Sequence, residues 1–350
     1  MRSGFATERT RLARRLLGLG LVIGVLLAVP AGVTRLASSD VRDYPALRGT
    51  VSVLLVRGPG DKRPHPVWVW RPPGPDSASI PVIYLLHGYP GSARDAFDSG
   101  LAAILDRRLA EGYPPVVVAC PDGNGGHHTD TEWANSRNGS DSVMSRVIAD
   151  VAAVEGTHRR LAALRVIAGF SMGGYGAMNI AMQHRKVFGS VVTIAGYFVL
   201  NDLSDMFGDI PSVMRRNDPS AHPARARGMT VILEEDSGDP LPLVHGQAAR
   251  MARLLRQAGV PAVLRILPGS HTWAYALRAL QDALTCLDSD WQREAAEEAG
   301  FASLTAGSAV DVTPDSPVYL AHLRANMAAT WRMVGRAMSG AATMLMPILH

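Results

Sequence analysis

The stretch from Leu164 to Gly176 constrains this chain more than any other. Its apolar, β-branched beginning (Leu164-Arg165-Val166-Ile167-Ala168) runs straight into Gly169-Phe170-Ser171-Met172-Gly173, and an Ala/Met-rich helical pattern follows. A strand that becomes a helix through Gly-x-Ser-x-Gly holds the serine in a strained turn, so only small residues fit two positions to either side. Gly169 and Gly173 meet that demand, and Gly174 and Gly176 add room beyond it. Such a turn lifts the hydroxyl above the sheet, where the first amides of the helix can stabilise an oxyanion. Ser171 is therefore the candidate nucleophile, and the rest of the chain must supply its partners.

Around this stretch, strand and helix patterns alternate. Gly49–Arg57 and Pro66–Arg71 read as a hairpin joined by a Gly/Pro-rich turn. Pro81–Leu86 is a continuous apolar run that suits a strand buried on both faces. Then come a helix over Ala96–Glu111, a strand over Val116–Ala119, a polar loop over 127–140 and a helix over Ser142–Arg160. After the Ser171 turn, its helix extends to about His184, and strands are expected at Ser190–Ala195, Met229–Leu233 and Ala262–Leu267. Helices are expected at His245–Ala258 and Trp273–Leu287, while residues 197–228 lack periodicity and read as an excursion over the sheet. Alternation of this kind implies an α/β fold: a mostly parallel sheet with right-handed crossovers, helices on both faces and an N-terminal antiparallel hairpin. Loops at the carboxyl ends of the strands then carry the chemistry.

A serine nucleophile needs a base, and the base needs an orienting carboxylate. Among the histidines after Ser171, only His271 lies in a short loop between a strand and the last sheet-covering helix, with Pro268-Gly269-Ser270 to make the turn. The acid belongs after the preceding strand, where Glu234-Glu235-Asp236-Ser237-Gly238-Asp239 offers four carboxylates in six positions. Asp239, in the loop after a glycine, is favoured; Asp236 is the runner-up and Glu235 stands behind it. For the oxyanion, one amide is expected from Met172 and a second from Tyr89, in the loop after Pro81–Leu86. His87 precedes the nucleophile in the chain and is read as structural. His127-His128-Thr129-Asp130 lacks a spaced partner set, so no metal or other cofactor is expected.

The whole chain has a formal charge of +4 at pH 7, but the imbalance is local. Residues 1–48 hold eight Arg and three acids, leaving the remainder close to neutral, so a nucleic-acid partner is not expected. Arg2, Arg9, Arg11, Arg14 and Arg15 precede Leu16–Val33, eighteen residues without charge. A basic segment followed by an apolar one of this length reads as a signal peptide or membrane anchor over 1–33. The basic side stays in the cytoplasm, which puts the rest outside the cell, secreted or held to the membrane by residues 16–33. Residues 34–48 read as a linker, 49–288 as the catalytic domain, and 289–350 as a helical tail, acidic and helical over Trp291–Gly300, loop-like over 301–317 and Ala/Met-rich over Val318–His350. Cys120 and Cys286 allow one bridge or two free thiols.

From about 49 to 288 the sequence resembles the putative esterase family of α/β-hydrolases, which includes esterase D types, feruloyl esterases and secreted mycolyltransferases. The resemblance rests on Leu85-Leu86-His87-Gly88-Tyr89-Pro90-Gly91, Pro121-Asp122-Gly123, Gly169-Phe170-Ser171-Met172-Gly173-Gly174 and Gly269-Ser270-His271-Thr272-Trp273-Ala274-Tyr275. The last of these looks like the mycolyltransferase-related, exported branch. The resemblance implies the α/β-hydrolase fold, Ser171 as nucleophile, His271 as base and the amides of Tyr89 and Met172 as the oxyanion hole. It matches Asp239 only in part, because Ser237-Gly238 stands where Gly-Thr is common. The function expected is an exported serine ester hydrolase or acyltransferase acting on an ester, acyl-lipid or acyl-sugar. Transfer of an acyl group to a sugar hydroxyl is one alternative, and a non-catalytic envelope protein built on the same fold is another.

Overall fold

The computed structural model describes residues 48–200 and 205–305, with 292–305 described as backbone only. Apolar runs of five to seven residues form eight strands: β1 Thr50–Val56, β2 His65–Arg71, β3 Val82–Leu86, β4 Val117–Pro121, β5 Arg165–Phe170, β6 Ser190–Ile194, β7 Thr230–Asp236 and β8 Val263–Leu267. They make one sheet in the order β1-β2-β4-β3-β5-β6-β7-β8. The β1–β2 hairpin is antiparallel, β2 is antiparallel to β4, and all later neighbours are parallel. Strands β3, β4, β5 and β6 are buried along their whole length, the pattern required of strands covered by helices on both faces.

Seven helices flank the sheet among the described residues: α1 Asp95–Asp98, α2 Leu101–Ala110, α3 Val143–Glu155, α4 Met172–Gln183, α5 Pro211–Arg216, α6 Gln247–Gln257 and α7 Trp273–Thr305. Their apolar residues recur at helical spacing. Val143, Val147, Val151 and Val154 of α3, with Met251 and Leu255 of α6, pack on one face of the sheet together with α4. Leu101 and Leu105 of α2 and Leu280, Leu284 and Leu287 of α7 pack on the other. Full burial of each such side chain contributes about 2 kcal/mol. Cys120 and Cys286 are both free thiols.

Several elements differ from the sequence expectation, each for a local reason. The helix expected over Ala96–Glu111 is interrupted at Gly100, whose φ of 102° ends α1 and starts α2 at a new angle. Strand β7 continues three residues beyond Leu233, through Glu234-Glu235-Asp236. The last helix does not stop at Leu287: it continues to Thr305, with Asp288 buried in a 2.6 Å ion pair with Arg108. Within the excursion 197–228, α5 and two short 3₁₀ turns at Pro219–Ala221 and Pro223–Ala226 form. Among the described residues no helix is long and apolar enough to cross a membrane. The expected anchor at 16–33 and most of the expected tail lie outside the described residues.

Candidate active site

β5 delivers Ser171 to the carboxyl end of the sheet, and the backbone there is in the unusual state that the glycine pattern implies. Ser171 has φ 58° and ψ −119°, a conformation that L-residues adopt only under constraint from their surroundings. The constraint is visible on both sides. The Ser171 amide donates to the Ile194 carbonyl at 2.9 Å, while the Ser171 carbonyl accepts from the Gly174 amide at 2.8 Å. A Cβ on Gly169 would lie 2.0 Å from the Gly173 carbonyl oxygen, and one on Gly173 would lie 2.3 Å from that of Leu86. Close approach of α4 to β5 and β3 is therefore available only to glycine at these two positions.

His271 follows β8 across the Pro268-Gly269-Ser270 turn. Gly269 presses against the Tyr275 ring so tightly that a Cβ would meet it at 2.4 Å, which fixes where the turn releases the imidazole. The His271 ring lies 4.7 Å from the Phe170 ring, and Phe170 lies 5.2 Å from Trp273, centroid to centroid. His271 Nε2 is 2.8 Å from Ser171 Oγ, and Nδ1 is 2.6 Å from Asp239 Oδ2. With Nδ1–H donating to the carboxylate, Nε2 presents its lone pair to the serine hydroxyl proton. The Asp239 carboxylate is fully buried and accepts a further hydrogen bond, from the Leu241 amide, on Oδ1.

The other three carboxylates of the acidic run point elsewhere. Because they belong to β7, their side chains alternate across the sheet. Glu235, on the α6 side, accepts from the Gly246 and Ala249 amides and so caps the start of α6. Asp236 accepts from the Gly238 amide on Oδ1, and the partner of His271 Nδ1 is Asp239. Glu234 is completely buried on the α7 side, beside Asp282. Burial, reinforced by the charge of Asp282, pushes its carboxyl up to about 8. Asp239 alone of the four reaches the imidazole.

The loop after β3 closes the site from the other side. Gly88 lies against Ser171, since a Cβ there would be 3.1 Å from Ser171 Cβ. The segments holding the Tyr89 and Met172 amides thus flank one hydroxyl, and Met172 opens α4, where backbone amides lack helical acceptors. His87 does not reach Ser171 in any recorded bond. Its Nδ1 donates to the Gly88 carbonyl and its Nε2 accepts from the Gly123 amide, both at 2.8 Å. Burial lowers its basicity, so the ring serves as a neutral brace between the β3 and β4 loops.

Two residues near the site were not singled out by sequence. Glu132 and Trp133 both have positive φ, 49° and 50°. Trp133 is fully buried, donates to the His87 carbonyl at 3.0 Å and packs beside Gly176, while Glu132 accepts from the Tyr197 hydroxyl. No periodic or turn signal in the polar 127–140 loop distinguishes them. His128, in the same loop, bonds Asp141 at 2.7 Å. Among the described residues no group of three His, Cys, Asp or Glu is placed to hold a metal ion.

Comparison with known proteins points in one direction. The family model described as "Putative esterase" matches residues 62–287. An acetyl esterase of Caldicellulosiruptor saccharolyticus is 21% identical over 227 residues, which span 57% of this chain and 80% of that protein. Among solved structures, a ferulic acid esterase superposes with a TM-score of 0.60 at 21% identity, over 69% of this chain and 99% of the other. An S-formylglutathione hydrolase of Agrobacterium tumefaciens gives 0.57 at 20% identity, over 69% and 95%. A fluorophosphonate-binding serine hydrolase of Staphylococcus aureus gives 0.56 at 20%, over 69% and 99%. At these identities the structural likeness speaks for the fold.

Proposed function

Since the chain belongs to the putative esterase family and is an ester hydrolase of the α/β-hydrolase fold, we propose that it works through an acyl-enzyme on Ser171, outside the cytoplasm and attached to a membrane by residues 16–33. What supports the serine mechanism is the continuous hydrogen-bonded series from Ser171 through His271 to Asp239. His271 takes the Ser171 proton as Oγ attacks the ester carbonyl, and the Asp239 carboxylate stabilises the imidazolium that forms. The Tyr89 and Met172 amides receive the oxyanion. Collapse of the tetrahedral intermediate expels the alcohol, which takes its proton from His271, and leaves the acyl group on Ser171. Water, deprotonated by the same imidazole, then releases the acid and restores the serine. A sugar hydroxyl entering in place of water turns the same cycle into acyl transfer.

Short p-nitrophenyl esters test this directly. Wild type should hydrolyse them with a burst of p-nitrophenol and label with a fluorophosphonate probe, and Ser171→Ala should do neither. Equal hydrolysis by the two proteins refutes the assignment of Ser171, and an intact wild type that neither turns over nor labels identifies a non-catalytic relative. Added alcohol or free sugar as acceptor separates transfer from hydrolysis by the appearance of a new ester.

A further inference from the structure

Alternation along the edge strand β1 leaves an apolar stripe uncovered. Val51, Val53 and Leu55 are exposed at 44%, 43% and 73%, and they share one face because they stand opposite Trp70, Trp68 and Pro66 of β2. Leu54, between them, turns the other way and packs on the core. The stripe extends over half-buried Trp68, which lies 5.8 Å from Phe97 of α1 and carries the Arg94 guanidinium above its ring. An apolar edge of this kind is a liability unless something covers it.

The exposed charge where the stripe meets the hairpin tip has one sign. Across residues 50–64 the exposed charged side chains are Arg57, Lys62 and Arg63, whereas Arg94 is paired with the exposed Asp98 at 2.9 Å. Asp61, the single acid of the hairpin tip, is turned inward to His65 at 2.7 Å and to Arg146 at 3.3 Å. All three sit on the tip, and the topology fixes where the tip lies. β1 is antiparallel to β2, and β2 to β4, so β1 runs with the parallel strands and ends at the same edge of the sheet as β5. The tip is also tied to the oxyanion side of the site. Arg146 bonds both Asp61 and the Asn124 carbonyl, and Asn124 Nδ2 donates to the Gly91 carbonyl, two residues past Tyr89.

We infer that the outer face of β1 together with the 57–64 tip is a docking surface for an anionic lipid bilayer, which holds the Ser171 end of the sheet against the membrane. This rests on the membrane attachment proposed above: only sixteen residues separate the uncharged Leu16–Val33 from Thr50, at most about 55 Å of extended chain. The chemistry fits an anionic interface. Aliphatic side chains and a tryptophan enter the headgroup boundary while arginine and lysine meet lipid phosphates, each cation strengthening the contact about fivefold.

Amide hydrogen exchange on the full-length protein reconstituted in phosphatidylglycerol vesicles, in phosphatidylcholine vesicles and in neutral detergent tests the surface, with vesicle flotation run beside it. In phosphatidylglycerol the amides of residues 50–57 should exchange about tenfold more slowly than in detergent. The slowing should be lost in phosphatidylcholine, in Val53→Ser/Leu55→Ser and in Arg57→Gln/Lys62→Gln/Arg63→Gln, all of which should keep the wild-type melting temperature. Equal exchange in all three environments overturns the proposal, as does equal slowing on both vesicle types. Slowing in detergent that grows with protein concentration also overturns it, by showing that a second copy covers the edge. Flotation separates the two readings: a protein that floats with β1 unprotected keeps the anchor and loses the docking surface, whereas one that does not float loses the anchor.

Discussion

Replacing Asp239 with Asn tests the hydrogen-bonded series at its most buried link. The carboxylate lies 2.6 Å from His271 Nδ1 with no side-chain exposure, so its charge acts on the imidazolium with little screening by water. With charge centres about 4 Å apart and an effective dielectric constant near 20, the attraction is about 4 kcal/mol. At about 1.4 kcal/mol per factor of ten in rate, its loss slows acyl transfer about a thousandfold. Asn adds a second effect, because an amide NH₂ turned toward Nδ1 favours the tautomer that blocks Nε2 from accepting the serine proton. The substitution keeps Oδ1 in place for the Leu241 amide, so folding should be preserved. The measurement is kcat/KM on p-nitrophenyl acetate for wild type, Asp239→Asn and Asp236→Asn, with thermal melting as the control. Asp236→Asn should stay near wild type, since Asp236 holds only the Gly238 amide. A folded Asp239→Asn within about tenfold of wild type would refute the electrostatic argument, and an equal loss in Asp236→Asn would refute the choice of acid.

Gly173→Ala drives a methyl to within 2.3 Å of the Leu86 carbonyl oxygen, so differential scanning calorimetry should show a loss of about 2 kcal/mol, with lower activity in what remains folded. Glu155→Gln breaks a buried bidentate pair with Arg165, at 2.6 and 2.8 Å, and should cost about 3–5 kcal/mol by urea titration at pH 7. Burial alone would raise the Glu155 carboxyl, but the hydrogen bonds from Arg165 and from the Arg160 amide hold it below the usual carboxylate range. Its contribution is therefore present above about pH 4.3 and is lost as pH falls through the lowered value, so the gap between wild type and Glu155→Gln should narrow in acid. Glu234→Gln should do the opposite and stabilise. The native carboxyl, pushed up to about 8, stays protonated at pH 7 while the unfolded one ionises, a penalty of up to about 3 kcal/mol that Gln removes. The gain should vanish near pH 4, and a melting temperature unchanged at pH 7 would refute it.

The elbow was legible because its requirement is local: strand, two obligatory small residues and helix lie within one short stretch, and the Cβ clashes at Gly169 and Gly173 are the physical form of that pattern. The hairpin and the parallel order followed from alternation and from buried apolar runs. Asp239 was favoured over Asp236 and Glu235 only by its place after a glycine, because a run of carboxylates reads as a solvated loop. In the fold the first half of that run is strand, and its twofold alternation sends Glu235 to cap α6 and Glu234 into the core, while Asp239 lies in the turn beyond. The length of α7 was hidden because the carboxylate just past Leu287, Asp288, finds its partner in Arg108, 180 residues earlier in the chain. Trp133 and Glu132 left no trace in the pattern, since their strained backbone is imposed by tertiary contacts with His87 and Tyr197.

The backbone of Ser171 carries one more consequence. A residue held at φ 58° and ψ −119° stores free energy that every other contact in the domain has to outweigh. Glycine adopts that conformation without penalty, so Ser171→Gly relieves the strain at the same stroke that removes the proposed nucleophile. Selection for heat resistance alone would therefore drift toward an inert molecule, and a collection of thermostable variants of this chain needs an activity screen at every round. The residue proposed to carry the chemistry is also one of the places where the fold resists its own sequence.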